Sequence, residues 1–254
     1  MIKRRIRLTI SSVCLLMVLI SGCSSTTPKT DPDSPPPQIE SHELIDGNAT
    51  YPLQVYDPWE GLNRRVYKFN ALFDKHLFLP VVSGYETVTP ELVRSGVSNF
   101  FSNVREIRNF INSVLQLKIR TAMLTSVRFA VNTTVGLLGF MDPATAMDLP
   151  QRNEDFGQTL GVWGVGQGPY LVLPVVGPSS VRDGIGLGVD WYVETTIRDA
   201  VVDLETWQVW ALSGLKAVDT RYRIGFRYHG TGSPFEYDLV RLLYTKKRAF
   251  QVAN

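Results

Sequence analysis

Cysteine is almost missing from this chain, with 2 among 254 residues. Cys14 sits inside an amino-terminal apolar run and Cys23 just beyond it. No disulfide framework can therefore brace the body, and its stability has to come from a core or from a membrane. Histidine is as scarce. The 3 present, His42, His76 and His229, are far apart, with no ligand-spaced Cys or Asp beside them, which speaks against a metal centre. There is no Gly-x-Ser-x-Gly elbow and no Walker A loop. Gly164-x-Gly166-x-Gly168 and Gly184-x-Gly186-x-Gly188 do not complete a dinucleotide fingerprint. With neither nucleophile motif nor cofactor cradle, the chain reads as no enzyme, with no cofactor and no metal. A long apolar run is missing too. The run at residues 8–20 has 13 residues, where a membrane-crossing helix needs ~20.

What is present begins at the amino terminus. Lys3, Arg4, Arg5 and Arg7 precede that short run, and Ile20-Ser21-Gly22-Cys23 follows it. A basic head, a short apolar segment and small residues before a cut site make a secretory signal over residues 1–22. Small residues directly before Cys resemble the bacterial lipobox, in which the thiol is acylated and becomes the mature terminus. Cys23 is thus the expected lipid attachment site. Two or more acyl chains hold a protein stably at ~0.8 kcal/mol per buried methylene. Ser24, rather than Asp, follows the Cys, which favours the outer membrane. Residues 1–22 carry four of the 26 Lys and Arg and none of the 24 Asp and Glu, leaving 22 against 24. A chain without a basic excess is a poor nucleic-acid binder.

Residues 23–54 are rich in Ser, Thr, Pro and Asp, with Pro35-Pro36-Pro37 at the centre. Such a stretch buries too little apolar surface to fold and reads as a tether. Residues 55–254 form the body. Asp57-Pro58-Trp59-Glu60 reads as an N-cap, a first-turn proline and a capping-box partner. Trp59, Leu62, Val66, Phe69, Phe73 and Leu77 then recur every three or four residues on one helical face. A second helix is expected from Thr89-Pro90-Glu91 through Val93, Val97 and Phe101, and a third around Ile107, Phe110, Ile111, Val114 and Leu115. Others follow at about 120–135, 204–224 and 233–250. Few segments alternate with period two, so the fold class is mainly α with no extended sheet.

Residues 161–178 interrupt the helices. Gly161, Gly164, Gly166, Gly168 and Gly177, with Pro169, Pro174 and Pro178, demand a loop or hairpin. Its other side chains, Tyr170 and Leu173 among them, are apolar, so it packs on the helices or meets lipid. The glycines can hinge and the prolines stiffen the arm beyond, which makes it a candidate gate. Asp142, Asp155, Arg182, Asp183 and Asp190 punctuate this region. They read either as caps and surface pairs or as charges along a water-filled path. Lys246, Lys247 and Arg248 read as the solvated cationic end of a helix.

Several motifs resemble the MlaA/VacJ family of outer-membrane lipoproteins. They are Asp57-Pro-Trp-Glu-Gly-Leu-Asn-Arg64 with Phe69-Asn70, Gly96-Val-Ser-Asn-Phe100, Arg128-Phe129 with Asn132-Thr133, and Gly139-Phe140-Met-Asp142. Phe156-Gly-Gln-Thr-Leu-Gly161, Gly164-Val-Gly166, Gly168-Pro-Tyr-Leu-Val-Leu-Pro174 and Arg182-Asp183 continue the series. The resemblance implies a ring-like helical body embedded in the inner leaflet of the outer membrane, with an amphipathic channel and residues 161–178 as its hairpin. It implies removal of phospholipids that stray into the outer leaflet. The implied partners are a phospholipid, a trimeric porin and a soluble periplasmic carrier. A scaffold that only attends porins is the alternative. The likeness thins over residues 191–232, apart from Asp219-Thr220-Arg221. Ile107 stands where the family often has Pro, so a helix start is expected to differ there.

Overall fold

The computed structural model describes residues 55–254. Cys23, His42, the signal segment and the tether lie outside the described residues. The body is helical, with one two-stranded antiparallel hairpin.

A long helical rod comes first. It comprises α1 (Glu60–Phe73), a wide π turn (Asp74–Phe78) and α2 (Leu79–Val88). Pro80 lacks the N–H that would close a regular turn, and the wider turn just before it absorbs the mismatch. Asp57 does not cap α1. Trp59 holds the cap position without a side-chain bond. The Asp57 carboxylate instead accepts hydrogen bonds from Asn63 Nδ2 at 2.7 Å and from Tyr237 at 2.5 Å.

α3 (Glu91–Leu115) is one helix of 25 residues where the spacing predicts two. Nothing between Phe101 and Ile107 breaks a helix. The apolar positions change face there, and that shift imitates a boundary. Ile107 lets the helix run through a point where Pro would interrupt it. α4 (Ile119–Thr134) packs back along α3, followed by a single turn, α5 (Pro143–Ala146), and the short α6 (Phe156–Val162). β1 (Tyr170–Leu173) pairs with β2 (Gly177–Ser180), Tyr170 opposite Ser180 and Leu173 opposite Gly177.

α7 (Val181–Val201) is a helix that the glycines at 184, 186 and 188 concealed. Ser180 caps it, accepting from Asp183 N–H at 3.2 Å. Gly186 is there for contact: a Cβ on it would sit 2.3 Å from Gly157 N, so α6 and α7 cross backbone to backbone. Gly161 lies within α6, not in the hairpin, and packs so closely on α9 that a Cβ there would strike Val252 at 2.6 Å. α8 (Thr206–Arg223) and α9 (Glu236–Ala253) complete the body. No helix among the described residues is long and apolar enough to cross a membrane.

Candidate functional site

The helices turn their apolar faces outward. The stripe on α1 is exposed, Leu62 at 55% and Phe69 at 47%, whereas Asn63, Tyr67, Asn70 and Asp74 on the other side are buried. On α3, Phe110 and Val114 face out, and Asn103, Glu106, Asn109, Asn112 and Ser113 face in. α4 buries Thr125, Arg128 and Asn132 and exposes Met123 and Val127. Among the described residues, 26 polar or charged side chains are buried against 9 apolar ones. Water-facing proteins rarely bury ions or show broad apolar surface. Among the described residues, the cluster of Tyr67, Tyr170, Val172 and Tyr237 resembles an ordinary core.

Such an interior stands only if its polar groups are satisfied, since each orphan costs ~1–3 kcal/mol and a charge more. Between α3 and α4, Arg128 donates to Glu106 at 3.0 Å and to both oxygens of Asp142 at 3.1 Å. Arg128 and Glu106 are 2% and 1% exposed. Gln151 and Asn109 also donate to Glu106, and Asn132 donates to Asp142. Under the rod, Arg221 of α8 grips Asp74 with both arms of its guanidinium, one at 2.8 Å. Arg241 of α9 bridges Asp57, Glu60 and Asp238.

The third network corrects an expectation. Lys246 and Lys247 are exposed, but Arg248 is buried and does not belong to a solvated helix end. It donates to Asp155 at 2.7 and 2.8 Å and to Asp183 at 2.9 and 3.0 Å. Arg182 and Tyr244 also donate to Asp183, the latter at 2.7 Å. Burial by itself would raise the Asp155 carboxyl, but Arg248 and Gln158 bring it down to about 2. The Asp183 carboxyl is lowered too, Arg248 and Tyr244 outweighing its burial. Asp190 stands apart. Burial raises its carboxyl although it accepts from Phe156 N–H and Asn112.

The structure brings Asp155, Arg182 and Asp183 together around Arg248. Asp142 is held at Arg128, and Asp190 between α3 and α6. Asp142 and Asp155 also cap α5 and α6. The hairpin is fastened to α1 by two asparagines seven residues apart. Asn63 donates to Tyr170 O at 3.1 Å and accepts from Val172 N–H at 2.9 Å. Asn70 donates to Leu173 O at 2.9 Å and accepts from Val175 N–H at 2.7 Å. Asn70 thereby holds Val175 at φ 68°, a left-handed conformation costly for a β-branched residue. Tyr170 is buried, Leu173 and Pro169 are half-buried, and Pro174 at the tip is exposed. Gly164, Gly166 and Gly168 are exposed, and a Cβ at Gly164 or Gly166 would meet nothing within 4 Å.

The buried polar stripe opposite each apolar one carries these networks. Asn63, Asn70, Asp74, Glu106, Arg128, Arg221 and Arg248 were not recognisable as site residues one by one, yet their spacing of three and four along each helix was there to read.

A family model described as MlaA lipoprotein matches residues 55–251. The chain belongs to that family. Over 176 residues it is 35% identical to "Intermembrane phospholipid transport system lipoprotein MlaA" of Escherichia coli (strain K12), 66% of each chain. The Haemophilus influenzae protein of the same description is 34% identical over 174 residues, 65% of this chain and 66% of that one. A Rickettsia felis protein is 41% identical over 131 residues, 52% of each chain, so the match spans about half the length of such relatives. A solved structure described as "Structural basis for maintenance of bacterial outer membrane lipid asymmetry" matches with TM-score 0.61 and 28% identity, covering 78% of this chain and 100% of that chain.

Proposed function

We propose that this protein removes misplaced phospholipids from the outer leaflet of the outer membrane through its polar interior. It passes them to a soluble periplasmic carrier while held beside a trimeric porin and anchored through Cys23. The observation that carries this reading is the reversed distribution of polarity, with apolar faces outside and charged networks inside. Described helices none of which is long and apolar enough to cross a bilayer, but which are broadly apolar on one side, suit a body sunk in one leaflet. Polar groups at that depth persist where they are enclosed in protein or line a cavity. Membership of the MlaA lipoprotein family and the description of its Escherichia coli relative support transport of phospholipid between membranes. No covalent chemistry is needed: the headgroup moves along polar side chains while the acyl chains stay against apolar surface. The exposed glycines at 164, 166 and 168, leading into the hairpin, are the gate in this reading.

The alternative is a scaffold that contacts porin through the same apolar exterior and carries no lipid of its own. A photo-crosslinking residue placed in living cells at Asn109, inside, or at Leu62, outside, separates the two. A conduit gives phospholipid adducts at both positions. Adducts at Leu62 alone, with porin captured there, would favour the scaffold.

A further inference from the structure

α3 carries a second stripe, distinct from the face that meets α4. Arg94, Ser98, Phe101, Arg105, Arg108 and Asn112 recur at intervals of four, three, four, three and four, which places them on one side of the helix. Its two ends are occupied. Ser98 donates to the buried Asp219 of α8, and Asn112 donates to Asp190 of α7 at 3.0 Å. The middle is not. Arg105 and Arg108 are half-buried, and among the described residues neither guanidinium makes an ion pair or a hydrogen bond. Arg108 Nε is fully enclosed without an acceptor, as are Arg94 Nε and Tyr85 Oη next to the same stripe.

The nearby carboxylates act on the pair through space, Asp219 and Glu106 on Arg105 and Asp190 on Arg108, but none bonds either guanidinium directly. Asp219 accepts from Ser98 and pairs with Arg223 at 2.9 Å. Glu106 serves Arg128, Gln151 and Asn109, and Asp190 serves Asn112 and Phe156 N–H. The two guanidiniums are therefore left with open hydrogen-bonding capacity between these two contacts. Burial, then the charges of Arg223 and Arg108, outweigh the opposing charges of Asp219 and Glu106 and pull the Arg105 guanidinium down to about 10. A cation kept half out of water beside other cations destabilises the empty protein. Every other buried arginine described above has its carboxylates.

We propose that Arg105 and Arg108 form a binding site for the phosphodiester of a phospholipid headgroup, between the Ser98–Asp219 and Asn112–Asp190 contacts. The proposal rests on the conduit reading above. A guanidinium presents a planar fork that matches phosphate oxygens two at a time, and two forks one helical turn apart can share one phosphodiester. Such a site gives the moving headgroup a stopping point inside the body and discriminates against lipids that lack phosphate.

The test uses full-length protein in detergent. It is offered phosphatidylethanolamine or diacylglycerol, each carrying the same photoactivatable acyl chain. Wild-type protein should capture the phospholipid in preference to the diacylglycerol. The double variant Arg105→Gln, Arg108→Gln should capture phospholipid about tenfold less, equivalent to the loss of one charge-assisted contact of about 1.4 kcal/mol. Arg105→Lys, Arg108→Lys should recover part of the capture. Because neither native guanidinium makes a direct hydrogen bond or ion pair among the described residues, the double Gln variant should melt at the same temperature as wild type or above it. If wild type captures neither lipid, the conduit reading fails and takes the site with it. If wild type captures phospholipid and the double Gln variant does so equally well, the site alone is wrong. A fall in both melting temperature and capture that Lys does not restore would make the pair structural and overturn the site. Displacement of the phospholipid by an equal concentration of inorganic phosphate would assign the pair to free phosphate instead of a headgroup, and overturn it as well.

Discussion

Arg248 is the residue on which the carboxy-terminal network turns. It holds two carboxylates from two elements, Asp155 at the start of α6 and Asp183 in the first turn of α7. Removing one member of a buried ion network leaves the others uncompensated, at a cost of ~3–5 kcal/mol. Acid probes the same network without mutation. The Asp155 carboxyl lies at about 2 in the folded protein and near ~3.9 in an unfolded chain. Its contribution to stability is thus present above pH ~4 and is lost as pH falls from there towards 2. Asp183, shifted the same way, adds to the loss. Thermal unfolding of the protein in detergent should show melting temperature declining over that interval. Arg248→Gln should lower the plateau above pH ~4 and flatten the decline. An unchanged acid profile in that variant would show that the carboxylates draw their stability from elsewhere.

At the scale of elements, the hairpin and the loop before it divide the work. Lifting the hairpin from α1 breaks four hydrogen bonds to Asn63 and Asn70, three at β1 and one at Val175 in the turn. At ~0.5–1.5 kcal/mol each, that is a cost of several kcal/mol. The stem is thus firmly held, while the loop at residues 164–168 is tied at Val165 and Gln167, whose carbonyls accept from Arg182. Gly166 has an ordinary φ and open space around it, so Gly166→Ala fits the folded state while narrowing the unfolded one. The expected effect on stability is neutral to favourable, up to ~1 kcal/mol. If this loop is the hinge, Gly166→Ala should slow clearance of outer-leaflet phospholipid while protein level and porin association stay normal. Full clearance in that variant, and in Gly166→Pro, would show that the loop need not move.

At the scale of the molecule, the described body has a broad apolar exterior, including Trp210 at 74% exposure. Binding of such surfaces to the membrane interface scales with the apolar area buried. A variant that begins at Tyr51 behind a cleavable signal, and so lacks Cys23 and any acyl chain carried there, should remain bound to membranes or vesicles and need detergent for extraction. A monodisperse, lipid-free monomer in plain buffer would count against an embedded body. Fatty-acid labelling of the full chain, lost in Cys23→Ser, separates the anchor's contribution from that of the body.

Helix class was readable in the chain, because periodicity and proline placement act locally: the stripe from Trp59 to Leu77 and the run at 204–224 both fall on helices. Family membership was readable for the same reason, in contiguous motifs such as residues 57–64. The direction in which each stripe faces was not. An amphipathic helix states that it has two faces, and only its neighbours decide which is covered. Here Arg128, Arg221 and Arg248 reach carboxylates 14 to 147 residues away, and those distant pairings allow the polar faces to turn inward. α7 was not among the expected helices, and its glycines find their reason only in the fold, where Gly186 lies against Gly157. Local sequence determined the elements and their two-sidedness. Tertiary pairing of charges across the interior decided which side became the inside, because a buried ion is stable only where its counter-ion has been brought to meet it.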